Sequence, residues 1–304
     1  MQDETFAAID LGTNTFHILI AKKEDNHSKF EVLFKERHYV YLGRNGVDSI
    51  SEESFILGLE TILKFKYYLN KYGVSKYRMI GTAALRSASN GPEFLFAVKE
   101  KTDLDIEIIE GEREADLIYK GVKSYLGATN ESNLIMDIGG GSVEFILFDS
   151  TGKKWAKSFK IGISVLYNSF QKSDPINKQD LESVHQFLEE QLKPLIIHFE
   201  NINIDALVGS AGSFEVVVGV LQKHFGKEIS REFSSDKFQK IYDEILPISY
   251  DERLSYPGIP EARARLIPMG LILIAFILNK LKIKRVIVSP YALKEGVISE
   301  LIQD

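Results

Sequence analysis

The sequence predicts an α/β protein built from two related domains, and three observations carry that expectation. A short phrase occurs twice in outline, as Ala8-Ile9-Asp10-Leu11-Gly12-Thr13-Asn14-Thr15-Phe16 and as Met136-Asp137-Ile138-Gly139-Gly140-Gly141-Ser142-Val143. Each copy is an apolar run ending in an aspartate, then a small-residue turn, a hydroxyl residue and a second apolar run. Asp10 pairs with Asp137, Gly12 with Gly139 and Thr15 with Ser142 at one constant offset. Strand and helix patterns then alternate after each copy, which is the grammar of a sheet covered by helices. Finally, 304 residues allow one large domain or two of ordinary size, and the repeat decides for two.

In the first half, Phe6–Ile9, His17–Ala21 and Phe30–Tyr41 read as successive strands, with turn signals at Gly12 and at Asp25-Asn26. A helix is expected over Glu52–Tyr72, with Ser51 as N-cap and Gly73 as its stop. Tyr77–Gly81 is a short strand leading into Thr82-Ala83-Ala84-Leu85-Arg86, and a helix follows over Pro92–Lys101. Ile106–Ile109 is another strand and Glu112–Leu126 another helix, closed by Gly127.

The second half opens with strands at Leu134–Met136, Val143–Phe148 and Lys154–Phe159. One long helix is expected from about Lys178 to Glu200, bent at Pro194. Ala206–Val208 is a strand running into a second glycine-rich turn, Gly209-Ser210-Ala211-Gly212-Ser213. Helices over Asp236–Ile245 and Ala264–Lys280, a strand at Arg285–Val288 and a helix at Ala292–Ile302 complete the chain. The expected division is 1–127, completed by the C-terminal helix 292–304, and 128–291.

Composition narrows the function. Hydrophobic content of 44% and charged content of 26% are ordinary for a protein with a packed core. With no cysteine, disulfides, thiolate metal sites and cysteine nucleophiles are excluded, and a reducing, cytoplasmic location is expected. The chain enters its first strand within a few residues, so no signal peptide is expected. The apolar stretch Leu266–Leu278 contains Pro268 and Gly270 and falls short of the roughly 20 residues of a bilayer span, which makes it a buried helix. A net charge of −6 argues against a duplex-coating nucleic-acid binder, but not against a small anionic substrate held by local charges or a metal ion. No nucleic-acid or membrane partner is expected, and a homodimer is compatible with the sequence.

The glycine turns point to phosphate. Such a turn joins two strands of a hairpin and lets backbone N–H groups and hydroxyls close around an oxyanion. One turn alone is as often an ordinary turn as a ligand site; two with matching aspartates suggest two domains gripping one phosphorylated ligand. Carboxylates beside phosphate would repel it, so a hard cation with oxygen ligands resolves the conflict, and Asp137, Glu144 and Asp10 are its candidate ligands. The bland alternative is an aspartate bonding its own turn. Arg86 is a candidate phosphate clamp, because guanidinium donors match phosphate oxygens in a planar fork; its alternative is a surface ion pair.

The duplicated unit resembles the ribonuclease H-like domains of the actin, sugar kinase and acetate kinase superfamily, whose ligand sits in a cleft between halves. The opening segment Phe6–His17 resembles that of the exopolyphosphatase and guanosine pentaphosphate phosphohydrolase (Ppx/GppA) family. The remaining motifs follow in order: Gly81–Arg86 with Asn90, Ile108–Ala115, Asp137–Glu144, Gly209–Ser213, Gly258–Arg263 and Leu293–Gly296. The resemblance spans the chain and leaves nothing over for the extra C-terminal helical domains of longer members.

This resemblance implies Mg²⁺-dependent removal of terminal phosphate from inorganic polyphosphate, or conversion of guanosine pentaphosphate to the tetraphosphate. It implies Glu114 as the base for the attacking water. The alternative is that Glu112, Glu114 and Asp116 merely suit a helix N-terminus. Gly12, Thr13, Asn14 and Thr15 would hold substrate in the first loop, and Gly139, Gly140, Gly141 and Ser142 in the second. Gly209, Gly212, Ser213 and Arg263 would add to the second domain's grip, with Arg265 and Lys294 as further guides for a polyanion. His17 occupies the position equivalent to Glu144 and reads as structural.

Three departures stand out: Val143 where a threonine is usual, Arg113 placing a positive charge beside Glu114, and Ser289-Pro290-Tyr291 in place of a glycine-containing turn. A small-molecule or sugar kinase on the same scaffold would need an acceptor-activating aspartate and a nucleoside pocket, neither of which is identifiable. A non-catalytic polyphosphate or nucleotide sensor would not need Glu114, Asp137 and Glu144 together.

Overall fold

The computed structural model describes residues 4–24, 30–44, 46–226 and 231–303. The chain divides into two compact units, 1–127 with 291–304, and 128–290.

Unit 1 opens with an antiparallel meander of β1 (Thr5–Leu11), β2 (Thr15–Lys23) and β3 (Phe30–Tyr39). The Asp25-Asn26 turn signal lies outside the described residues. Then come α1 (Glu52–Lys71), β4 (Lys76–Gly81), α2 (Ala83–Ser87), α3 (Gly91–Thr102), β5 (Glu107–Ile108) and α4 (Gly111–Leu126). The sheet order is β3-β2-β1-β4-β5, with β4 parallel to β1 and β5 parallel to β4. Central β1 is buried along nearly its whole length, as its unbroken apolar run requires, whereas edge strand β3 exposes Glu31, Val32 and Leu33.

Helix α1 shows how local chemistry sets an element. The Ser51 hydroxyl accepts from the Ser54 N–H at 3.3 Å, and Glu52 and Glu53 complement the helix dipole. Leu59, Ile62, Phe65 and Leu69 form its buried stripe. The helix ends at Lys71, and Gly73 reverses the chain at φ +57°.

Unit 2 repeats the plan with β6 (Asn133–Ile138), β7 (Val143–Asp149) and β8 (Gly152–Phe159). There follow α5 (Ile163–Phe170), α6 (Lys178–Gln191), α7 (Lys193–Phe199), β9 (Ala206–Ser210) and α8 (Gly212–Phe225). The unit is completed by β10 (Glu232–Ser234), α9 (Ser235–Ile245), α10 (Tyr250–Ser255), α11 (Glu261–Ala264), α12 (Ile267–Lys280) and β11 (Arg285–Val288). Its sheet order is β10-β11-β9-β6-β7-β8, so β8-β7-β6-β9-β11 matches the whole order of the first sheet. Both are mixed sheets covered by helices: an antiparallel meander extended by strands parallel to its first member, to which unit 2 adds the antiparallel edge strand β10.

Several expectations needed revision. The single helix over 178–200 is two, because the chain breaks at Leu192 and Pro194, lacking an N–H, sits in the first turn of α7. The expected 264–280 helix likewise starts at Ile267 with Pro268 in its first turn, after the separate turn of α11. Helices α2, α5, α8 and α10 and strand β10 were not anticipated. α8 carries Val216, Val217, Val218 and Val220, β-branched residues that tertiary packing holds in a helix. The apolar stretch of α12 is buried from Ile267 to Leu278, and among the described residues no helix is long and apolar enough to cross a membrane.

Helix α13 (Leu293–Gln303) returns to unit 1 and packs on α4 through two glycines. A Cβ on Gly121 would strike the Ala292 carbonyl, and one on Gly296 would strike the Leu117 carbonyl. Polar contacts then fix the helix: Glu300 accepts from Arg78 at 2.7 Å, from Arg113 at 2.8 Å and from Lys120.

Candidate active site

In unit 1 the turn between β1 and β2 is closed by the Gly12 N–H donating to the Thr15 carbonyl at 3.0 Å. A Cβ on Gly12 would lie 3.1 Å from that oxygen, a tight approach that favours glycine. The Asn14 carbonyl accepts from the N–H groups of Val40 and Tyr41 at 3.0 Å each, and the Thr13 carbonyl from Gly43 at 3.1 Å. Thr13 and Asn14 are buried, and the Thr13 methyl packs against Gly43. Thr15 Oγ1 lies 3.0 Å from His17 Nε2, and His17 stands opposite Asp10 in the ladder.

Arg86 and Glu114 come together beside this sheet. The end of β4 at Gly81 feeds α2, which carries Arg86, while the Gly81 carbonyl accepts from Ile109 at 3.1 Å and so positions the start of α4. Arg86 donates to the Ile109 carbonyl, and its Nη1 lies 3.6 Å from Glu114 Oε2. Glu114 is 7% exposed, whereas Glu112, two residues earlier in the same helix turn, is exposed. A carboxylate present only to suit the helix dipole has no need of burial beside a guanidinium. Asn90 clasps Ile50 through both its amide atoms, each at 2.9 Å, which is a structural task.

Arg113, next to Glu114 in the chain, has an acidic partner of its own. Its guanidinium is engaged with Glu300 of α13. Lys294, expected along the second domain, lies in unit 1 and pairs with Glu295 at 3.2 Å.

In unit 2 the Gly139 N–H donates to the Ser142 carbonyl at 3.0 Å, the same bond at the same place as in the first turn. The start of α5 then ties down the loop: Ile163, Ser164 and Gly162 donate to the carbonyls of Gly139, Gly140 and Gly141. A Cβ on Gly162 would collide with the Gly140 and Gly141 backbone, so this closeness depends on glycine. Asp137 and Glu144 are directly opposite one another on β6 and β7, and both are buried. Ser210 donates to Asp137 Oδ2 at 2.6 Å and Ser158 to Glu144 Oε1 at 2.7 Å; neither serine's part was read from the sequence.

The 209–213 turn reaches the same site through Ser210. Gly209 packs under the Phe214 ring, and Ser213 Oγ packs against Gly270. Gly212 faces the Arg263 guanidinium, which would meet any Cβ there. Arg263 is carried by α11, whose end is fixed by buried Arg253 donating to the Ala264 carbonyl at 2.8 Å. Arg265 lies 5.7 Å over the Tyr167 ring. Ala211 adopts φ 68° and ψ −174°, a conformation that is otherwise almost confined to glycine.

Two glycine hairpins closed by the same backbone bond, each following an aspartate, and a five-strand order shared by both units define a duplicated α/β protein. The sequence profile of the Ppx/GppA phosphatase family matches residues 19–304, and the chain belongs to that family. An exopolyphosphatase from Cytophaga hutchinsonii superposes with a TM-score of 0.93 at 31% identity, covering 99% of this chain and 98% of that one. The Aquifex aeolicus Ppx/GppA family member shares the fold, with a TM-score of 0.82 at 24% identity over 99% of this chain and 98% of its own. A guanosine-5'-triphosphate,3'-diphosphate pyrophosphatase from Vibrio parahaemolyticus is 27% identical over 299 residues, 98% of this chain. The chain spans 59% of that relative's length.

Proposed function

We propose that this protein is an exopolyphosphatase that releases terminal orthophosphate from inorganic polyphosphate, with guanosine pentaphosphate as a second substrate of the same site. The observation that carries the reading is Glu114: a buried carboxylate held 3.6 Å from the Arg86 guanidinium, in a chain of the Ppx/GppA family.

Hydrolysis of a terminal phosphoanhydride needs neutralised oxygens, an aligned water and a base. In this reading the hairpins at 12–15 and 139–142 hold phosphate oxygens. The carbonyls of 139–141 are taken up by α5, so an oxyanion meets amide N–H groups and the Ser142 hydroxyl instead. Arg86 binds the phosphoryl oxygens with the guanidinium edge not used on Ile109, and Glu114 accepts a proton from the attacking water.

The donor set suits Mg²⁺. Asp137 and Glu144 are two buried carboxylates on adjacent strands, and like charges directly opposite in a ladder repel, a repulsion that a cation would relieve. Among the described residues no group of three or more His, Asp or Glu side chains forms a metal site. Mg²⁺ commonly takes only one or two carboxylates and fills its remaining positions with water and substrate phosphates. Asp137 and Glu144 would hold it, and the ion would neutralise the phosphate oxygens. Asp10 has His17 rather than a carboxylate across from it in the ladder.

Phosphate release from long polyphosphate, tripolyphosphate and guanosine pentaphosphate, compared side by side with Mg²⁺, tests the proposal. Release is expected, and excess chelator should abolish it. Full activity in chelator would show that arginine and lysine alone neutralise the substrate. No release from any of the three would favour a sensor, and transfer from ATP to an added acceptor would favour a kinase.

A further inference from the structure

The buried carboxylates of unit 2 belong to a longer row. Ser158 on β8 is the ladder partner of Glu144 on β7; Glu144 is the partner of Asp137 on β6; Asp137 is the partner of Ser210 on β9. Four adjacent strands thus contribute hydroxyl, carboxylate, carboxylate and hydroxyl at one level of the sheet. The outer bonds are short, 2.6 Å from Ser210 and 2.7 Å from Ser158, and Ser210 is fully buried.

This row is not required by the strands. At the same level of unit 1 the residues are Arg37, His17, Asp10 and Ile80, so the sheet folds without flanking hydroxyls. The unit 2 row also coincides with backbone strain, because Ala211, immediately after Ser210, is held at φ 68° and ψ −174°. Non-glycine residues rarely adopt this conformation, and such strain collects where a fixed geometry has a use.

We propose that Ser210 and Ser158 are positioning residues for a divalent cation: each fixes one oxygen of its carboxylate and so aims Asp137 and Glu144 at the ion. The inference rests on the cation reading of the preceding section. A carboxylate whose oxygen is pinned cannot rotate away from the ligand geometry, so less freedom is lost when the ion binds. Partners of this kind typically change metal affinity by about 10–100-fold when removed.

The test is direct Mn²⁺ binding, followed by electron paramagnetic resonance, on wild type and on Ser210→Ala, Ser158→Ala and Ser210→Thr, with melting temperature in parallel. Each alanine variant should weaken Mn²⁺ binding by about tenfold and raise the half-saturating Mg²⁺ for phosphate release in proportion. Ser210→Thr, which keeps the hydroxyl, should return most of the affinity. Wild-type Mn²⁺ affinity in both alanine variants, whether or not they melt earlier, would overturn the proposal. Failure of wild type itself to bind Mn²⁺ would instead overturn the cation reading on which it rests.

Discussion

Glu300 is the residue whose loss should cost unit 1 the most stability for the least change in shape. It lies on α13 and receives Arg78 from β4 together with Arg113 and Lys120 from α4, so one carboxylate ties the returning helix to a strand and a helix. Burial alone would raise its pKa; hydrogen bonds from Arg113 and Lys120 overcome this and bring it down from the ordinary 4.5 to about 2. At about 1.36 kcal/mol for each pH unit, that fall corresponds to about 3.4 kcal/mol. Glu300 is only partly buried, and solvent screening reduces the expected contribution to about 2 kcal/mol. A carboxylate with a depressed folded-state pKa stabilises fully above its unfolded pKa and loses that contribution as pH falls through the folded one. Glu300→Gln should therefore be less stable than wild type by about 2 kcal/mol at pH 7, with the gap narrowing below pH 4.5 and falling to less than half by about pH 3. Urea unfolding should be followed by far-ultraviolet circular dichroism, because the single tryptophan, Trp155, belongs to unit 2. Equal stability at pH 7, or a gap that persists unchanged on acidification, would refute the reasoning.

Three further perturbations test other links. Glu114→Gln should reduce phosphate release by about 10²–10⁴-fold while substrate binding changes little, and Glu112→Gln should stay close to wild type; equal minor effects at both would remove the base assignment. Ala211→Gly should stabilise the protein by about 1 kcal/mol, because relief of strain exceeds the added flexibility of the unfolded chain, and a loss of stability in denaturant would contradict this. Gly296→Ala places a Cβ against the Leu117 carbonyl and should destabilise by more than about 2 kcal/mol, with unchanged melting showing that α13 can shift at no cost.

What the sequence disclosed was mostly local. The hairpin turns were legible because their glycines, their hydroxyl residues and the aspartate before each turn lie within a few residues of one another. Ser51 was legible as a cap for the same reason, since the bond it makes spans three residues. The burial that separates Glu114 from Glu112 was not, because it depends on which face of α4 turns toward Arg86. The partner of Arg113 was not legible because it is 187 residues away, on a helix that rejoins the first unit at the end of the chain. Ser210 was visible only as part of a glycine-rich turn; its bond to Asp137 arises from the parallel pairing of β9 with β6, a register that no short window contains.

The duplication itself shows how far symmetry can be pressed. Gly12 and Gly139 make the same backbone bond to the hydroxyl residue three positions on, so the turn preserves glycine in both copies on steric grounds alone. Side chains across the ladder have no such constraint, and there the copies part: Asp137 faces Glu144 and is held by Ser210, whereas Asp10 faces His17 and has Ile80 on its other side. Two carboxylates side by side repel each other, which favours a cation between them. The imidazole across from Asp10 carries no such negative charge. The matching aspartates therefore establish a common fold position without establishing a common role. The case for cation binding is correspondingly stronger at Asp137 than at Asp10.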